Sequence, residues 1–389
     1  MDKILNERLL RADSQNRRRV LRELEGPPGP VQYFEGRELL NFCSNNYLGL
    51  AGDPRVLEGV RSRLKDLGAG AAASRLVGGS HPIHRELEAR LAALKGTEAC
   101  LVYPSGYQAG VGVISALMGR SDQIIADKLV HACLLDGVRL SGAELRRYPH
   151  LDIQAAREFL SAPAKGQRLL LTESVFSMDG DVAPLREMVE LAKCCGVWLM
   201  VDEAHATGVF GARGEGLAAE LGVAGGVDIQ MGTLSKALGS QGGYVAGSRA
   251  LIDTLVNSSR AFIYTTGLSP LAAAAALSGL EILGAEPERR ERLWKHTRFV
   301  CEELGRMGWE TGRTQTPIVP VILGEAGTAV ACSEALWEQG IYVQSIRPPT
   351  VPEGTSRLRI TLMATHTEEH LERLLEALRR LGKEKGLCR

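Results

Sequence analysis

The 389-residue chain carries 46 basic and 46 acidic residues, so no global field steers it toward nucleic acid or an anionic membrane surface. Small molecules are the expected partners, and the length predicts about two domains around a large core. The longest strongly apolar stretch, Leu271 to Leu280, is mostly Ala and includes Ser278; it is far shorter than the roughly 20 residues that cross a bilayer.

The N-terminus bears Asp2, Glu7 and Asp13 and has no apolar segment. It fits neither a secretory signal nor an acid-poor transit peptide, which implies a cytoplasmic location. Residues 1–44 read as a charged arm, broken at Gly26, Pro27, Pro28, Gly29 and Pro30. Over 45–285, apolar β-rich runs alternate with helical patterns, the mark of βαβ units. The candidate strands are Ala99–Tyr103, Gln123–Ala126, Leu169–Thr172, Val197–Val201, Ile229–Met231 and Gly243–Ala246. This predicts an α/β domain with a mainly parallel central sheet and helices on both faces. A helix near 285–308 opens the remainder, followed by Ile318–Leu323, Val343, Leu358–Thr361 and a helix over Glu368–Leu381. Residues 286–389 are thus expected to form a smaller α+β domain. The 8 cysteines have no regular spacing and read as reduced, packed thiols, with Cys194 and Cys195 inside a helical pattern.

In an open α/β sheet, ligands gather beyond the carboxyl ends of the strands. After Val197–Val201 come Asp202 and His205; after Ile229–Met231 come Thr233 and Lys236. After Leu169–Thr172 come Glu173, Ser174 and Ser177, and after the Gln123 run come Asp127 and His131. A carboxylate at one strand end and a lysine after the next suit pyridoxal 5′-phosphate. Asp202 would keep the pyridine nitrogen protonated, and Lys236 would form the imine. A lysine with a free pKa of about 10.4 must be depressed to act as a base near neutrality, which burial favours. Ser105-Gly106-Tyr107 precedes a helix-like run, Val111–Met118, so the amides of Gly106 and Tyr107 are candidates to hold the cofactor phosphate. Thr233 is placed to add a hydroxyl, His131 to stack on the ring, and His205 to reach the phenolic oxygen.

With these residues in place, the chain resembles the α-oxoamine synthases, fold-type-I pyridoxal phosphate transferases. The resemblance runs through Asn41–Leu50, Ser74–Glu88, Ser105–Tyr107, Ser174–Gly180, Val201–Gly208, Gly232–Gly247 and Arg347–Leu362, a co-linear set far more specific than one short motif. It implies cofactor contacts from Gly106, Tyr107, His131, Ser177, Asp202, His205, Thr233 and Lys236, and substrate contacts from Arg19, Asn45, Arg347 and Thr350. Arg17, Arg18 and Arg19 are adjacent, which leaves the register of Arg19 open. The family condenses an amino acid with an acyl thioester and releases carbon dioxide, with Lys236 as anchor and general base and Arg347 for the substrate carboxylate. The stretch from Arg347 to Arg359 is most similar to members that join L-alanine to a pimeloyl thioester on coenzyme A or an acyl carrier protein. Members that use glycine and an acetyl thioester are the nearest rivals, and a non-catalytic partner subunit of the same fold is a more distant one. The family also implies a homodimer. Gly110 stands where the family usually has Asn, a change expected to loosen the turn beside the phosphate.

Overall fold

The computed structural model describes residues 1–387. Its strands in chain order are β1 (Val31–Phe34), β2 (Arg37–Asn41), β3 (Ala99–Tyr103), β4 (Gln123–Asp127), β5 (Glu144–Tyr148), β6 (Arg168–Glu173), β7 (Trp198–Asp202), β8 (Ile229–Thr233), β9 (Gly243–Gly247), β10 (Ile318–Gly324), β11 (Ile341–Tyr342), β12 (Gln344–Ile346) and β13 (Ser356–Thr361). The chain divides into two compact units. The larger is Leu50–Phe176 with Val182–Arg289; the smaller combines Met1–Gly49, Ser177–Asp181 and the chain from Arg290 onward.

The larger unit is built on a seven-stranded sheet in the order β3-β9-β8-β7-β6-β4-β5. From β8 to β5 every pairing is parallel. β9 runs antiparallel to both β3 and β8, so β3 points the same way as β8. Every residue of β3, β4, β8 and β9 is buried. These strands therefore read as continuous apolar runs instead of alternating ones. All six strands expected in this region form, most running one or two residues beyond the apolar core of the motif. The extensions place Asp202 and Thr233 at the last positions of β7 and β8. The sequence pattern misses β5, because Glu144-Leu145-Arg146-Arg147-Tyr148 lies at the sheet edge with only Tyr148 buried, and charge is what a protected edge carries.

Side-chain caps set where the helices begin. Ser105 accepts from the Gln108 amide and starts a helix at Gly106, five residues before the apolar run that signals it. Asp53, Asp152, Ser248 and Ser269 cap others in the same way. The helix Leu185–Cys195 buries Leu185, Met188, Leu191 and Ala192. Cys194 falls off that stripe and is exposed, and Cys195 is half-buried. Of the seven cysteines described, all are free and only Cys100, Cys133 and Cys332 are buried, so the expectation of packed thiols holds for three of them.

The smaller unit contains two three-stranded sheets, β1-β2-β11 and β10-β13-β12. β2 and β11 pair in parallel, Leu40 beside Ile341 and Asn41 beside Tyr342. Val343 is buried between β11 and β12. The helix Glu368–Lys385, capped by Thr367, buries Leu371, Leu374, Leu375, Leu378 and Leu381. The arm forms a helix, Asp2–Ser14, with no buried residue. No described helix is long and apolar enough to cross a membrane.

His366 ties this unit together. Its Nδ1 accepts from the Met363 amide at 3.0 Å, its Nε2 lies 3.1 Å from the Asn41 carbonyl, and its ring stacks on Phe42 at 4.3 Å. Burial pushes its pKa down to about 3. Between pH 6.5 and that value the unfolded chain binds a proton that the native chain does not. The stability that neutral His366 contributes is therefore complete above about pH 6.5 and falls by about 1.4 kcal/mol per unit as the pH drops. Urea unfolding between pH 6.5 and 5 should show a steeper loss in the parent than in His366→Gln by about that slope; equal slopes would contradict it.

Candidate active site

Because β3, β8, β7, β6 and β4 all point the same way, their carboxyl ends share one edge of the sheet. Read across that edge, the residues at or just beyond each strand end are Gly106 after β3, Thr233 at the end of β8 with Lys236 beyond it, Asp202 at the end of β7 with His205 beyond it, Glu173 at the end of β6, and His131 after β4. The larger unit thus gathers seven of the eight proposed cofactor residues: Gly106, Tyr107, His131, Asp202, His205, Thr233 and Lys236. Ser177 lies in the smaller unit with Arg19, Asn45, Arg347 and Thr350.

Lys236 Nζ is 2.9 Å from His205 Nε2. Asp202 is buried, and one of its carboxylate oxygens accepts from the Ala204 amide at 2.8 Å. Burial raises its pKa above the ordinary carboxylate range, while the Lys236 ammonium pulls it down. An anion held in this way suits a cationic ring nitrogen. Glu173 stands beside Asp202 in the parallel register. It is also buried, and its Oε1 has no hydrogen-bond partner. Burial first and the Asp202 charge second push its pKa well up. The sequence reading set Glu173 at a strand end without giving it a role; its signal is a carboxylate closing an otherwise apolar strand.

Glycines shape the surface proposed to hold the phosphate. A Cβ on Gly243 would lie 2.6 Å from Gly106 Cα and 2.7 Å from Gly106 N, so only glycine lets the helix N-terminus reach the start of β9. A Cβ on Gly106 would lie 3.3 Å from Thr233 Oγ1. The Thr233 hydroxyl, 2.8 Å from the Gly242 carbonyl and 2.7 Å from Ser235 Oγ, stands beside the helix amides that lack intrahelical partners. A helix N-terminus, a buried hydroxyl and an exposed one from Ser235 are a donor set for a phosphate dianion. Ser235 had only its place between Thr233 and Lys236 to mark it. On these grounds the residues fit pyridoxal phosphate. Gly239, at φ +65°, holds the lysine loop tight: a Cβ there would lie 2.5 Å from the backbone of Leu50 and Ala51.

His131 caps the helix Ala132–Ser141. Its Nδ1 accepts from the Cys133 amide at 3.2 Å and lies 3.0 Å from Cys133 Sγ, leaving an exposed ring. Gly110 is not in a turn, contrary to expectation; it is buried inside the helix Gly106–Leu117. A Cβ there would lie 2.8 Å from Cys133 Sγ. The thiol fills the space, so the local geometry is closed and not loosened.

In the smaller unit, Arg19 Nη2 donates to Thr350 Oγ1 at 3.0 Å. Arg347 donates to the carbonyls of Asn16 at 2.7 Å and Arg18 at 3.4 Å. These residues line a cavity of about 680 Å³ that also holds Arg17, Arg18 and Arg22. Burial and the Arg19 charge lower the Arg347 pKa. Arg347 is half-buried, whereas Arg359 is buried; it donates to the Ser177 carbonyl at 2.6 Å, to Thr361 at 2.8 Å and to Asn45 Oδ1 at 3.1 Å. Its signal was Arg357-Leu358-Arg359 inside an apolar strand, two cations on one face that burial must match with acceptors.

Replacing Gly110 with Asn should destabilise the protein by about 1–3 kcal/mol through overpacking. Adding Cys133→Ala should recover most of that loss in a double-mutant cycle of urea unfolding; strictly additive effects would show that the two positions do not share space.

The family model described as aminotransferase class I and II matches residues 37–378. The chain is 49% identical over 366 residues to the 8-amino-7-oxononanoate synthase of Anaeromyxobacter dehalogenans, covering 94% of this chain and 92% of that one. Its fold is similar to serine palmitoyltransferase of Sphingomonas wittichii, with a TM-score of 0.94, 34% identity, and coverage of 100% of this chain and 98% of that one. It is equally similar to a serine palmitoyltransferase solved with pyridoxal phosphate, with a TM-score of 0.93 and 32% identity over 99% of this chain and 98% of that one. Strand-end chemistry, sheet topology and these similarities agree: the chain belongs to the aminotransferase class I and II family, in its α-oxoamine synthase group.

Proposed function

We propose that the protein is a pyridoxal phosphate-dependent acyltransferase that condenses L-alanine with a pimeloyl thioester, carried on coenzyme A or an acyl carrier protein. The products are 8-amino-7-oxononanoate, carbon dioxide and the free thiol, a step of biotin synthesis. The Lys236–His205 contact beside buried Asp202 carries the cofactor assignment. The cavity of about 680 Å³ that holds Arg19 and Arg347, with Asp13 and Glu334 also in its lining, offers guanidinium donors for an acyl chain that ends in an acid group, as pimeloyl does and acetyl does not.

When bound, the cofactor supplies an electron sink for charge that develops at the amino acid's α-carbon. Gly106, Tyr107, Thr233 and Ser235 would hold its phosphate, Asp202 its ring nitrogen, His205 its phenolic oxygen, and His131 one ring face. Lys236 anchors it. Its amine, when free, would take the α-proton of the amino acid. The α-carbon then bonds to the thioester carbonyl carbon, and the C–S bond breaks to release the thiol. Loss of the original carboxylate as carbon dioxide leaves a carbon that takes a proton back. Two guanidinium groups are available for the two acidic ends. Arg359 is fixed by Asn45 and Ser177. Arg347, with Arg19 and Thr350, suits the far end of the acyl chain, a different duty from the one its sequence position implies.

A homodimer is part of the same reading. Leu76, Val77 and Tyr264 of the larger unit are 55%, 85% and 71% exposed, apolar surface of the kind that a second subunit covers. Sedimentation velocity should give a dimer, and an active monomer would contradict this.

Lys236→Ala should lose both turnover and the visible absorbance of the lysine-linked cofactor. In the parent, mass spectrometry of products from alanine, glycine and serine offered with pimeloyl and acetyl thioesters should show the alanine–pimeloyl product in excess. Preference for glycine with acetyl thioester would overturn the substrate assignment, and a colourless, inactive parent would overturn the whole reading.

A further inference from the structure

Asp202 and His205 sit on one turn, and the residue between them that does not face the cofactor is the one most heavily held. The Glu203 amide donates to the Met231 carbonyl at 2.7 Å, and its carbonyl accepts from Ala206 at 3.0 Å and Thr207 at 2.9 Å. Its side chain is fully buried. Oε1 accepts from the Ala218 amide at 2.9 Å, and Oε2 accepts from Lys95 Nζ. Lys95, the last residue of the helix Pro82–Lys95, is itself 1% exposed at its side chain and also donates to the Glu215 carbonyl. Gly216, at φ +121°, comes so close that a Cβ there would lie 2.4 Å from Glu203 Oε2. On the far side of the turn, Thr207 Oγ1 meets Tyr244 OH at 2.6 Å.

We propose that Lys95 is a positioning residue for the reaction: through Glu203 it fixes the turn that aims Asp202 at the ring nitrogen and His205 at Lys236. The inference rests on the cofactor assignment made above. Two physical points carry it. A buried ion pair adds little net stability over a well-packed apolar pair of the same volume, so its retention under a catalytic turn calls for another reason, and geometry supplies one. The hydrogen bonds of Glu203 reach three separate segments, at Met231, at Ala218 and at Lys95, with Asp202 one residue before it and His205 two residues after. Lys95 also cancels the Glu203 charge, which would otherwise stand next to Asp202 and oppose its ionisation.

The experiment compares the full-length parent, Lys95→Arg, and the double variant Lys95→Met with Glu203→Leu. Each is stripped of cofactor and titrated with pyridoxal phosphate, following visible absorbance and near-ultraviolet circular dichroism. Melting of the cofactor-free proteins reports fold alone. The double variant should melt within a few degrees of the parent, yet bind the cofactor roughly tenfold more weakly or worse, with a changed dichroic band. Lys95→Arg, which keeps the charge but moves the carboxylate, should fall between the two and serves alone if the double variant does not fold. Parent-like affinity and dichroism in a folded variant would reduce the pair to a structural contact and overturn the proposal. Failure of the parent to take up the cofactor would instead overturn the assignment on which it rests.

Discussion

Parallel strands in one sheet deliver their carboxyl ends to one edge, and everything chemical in the larger unit depends on that constraint. Five strand ends, those of β3, β8, β7, β6 and β4, lie in sequence along that edge. Each needs to supply only one or two polar residues for a full cofactor site to assemble. The reversal of β9 costs nothing in this respect, because two antiparallel pairings restore β3 to the common direction. Buried apolar strands then set the dielectric in which Asp202 and Glu173 face one another. Two carboxyls side by side in an apolar setting disfavour each other's ionisation, and burial shifts both Glu173 and Asp202 upward.

Close approach is the second requirement, and glycine supplies it where backbone must meet backbone. Gly243 lets the phosphate-binding helix reach the sheet, and Gly239 packs the lysine loop against Leu50 and Ala51. Gly110 illustrates the opposite case. Its missing side chain is replaced from the next helix by the thiol of Cys133, whose amide and sulfur both approach the His131 ring. A departure that looks like a loss in one motif is a transfer of volume from one helix to its neighbour.

Most of the central sheet was legible because fully buried strands leave uninterrupted apolar runs, and the polar residue that ends each run marks the functional edge. Lys236, Asp202, His205, Thr233 and His131 were all proposed on that ground, and the sheet topology puts them along one edge. The edge strand β5 was not, since its exposed side chains are charged for solubility and not for strand formation. Arg359 and Glu203 were missed for a shared reason: their importance lies in partners far away in the chain, Asn45 and Ser177 for one and Lys95 and Ala218 for the other. A sequence shows a residue's type and its near neighbours. It does not show which distant carbonyl or ammonium will neutralise it.

The smaller unit is assembled from three separate stretches of chain, and one of its sheets pairs Leu40 with Ile341. During synthesis, β2 therefore leaves the ribosome long before β11 exists, whereas every strand of the seven-stranded sheet lies between residues 99 and 247 and can pair within that window. At about 5–20 residues per second, the first segment waits on the order of 15–60 seconds for its partner. The seven-stranded sheet thus needs only chain already made by residue 247, while the sheet of β1, β2 and β11 cannot be completed until residue 342 is made.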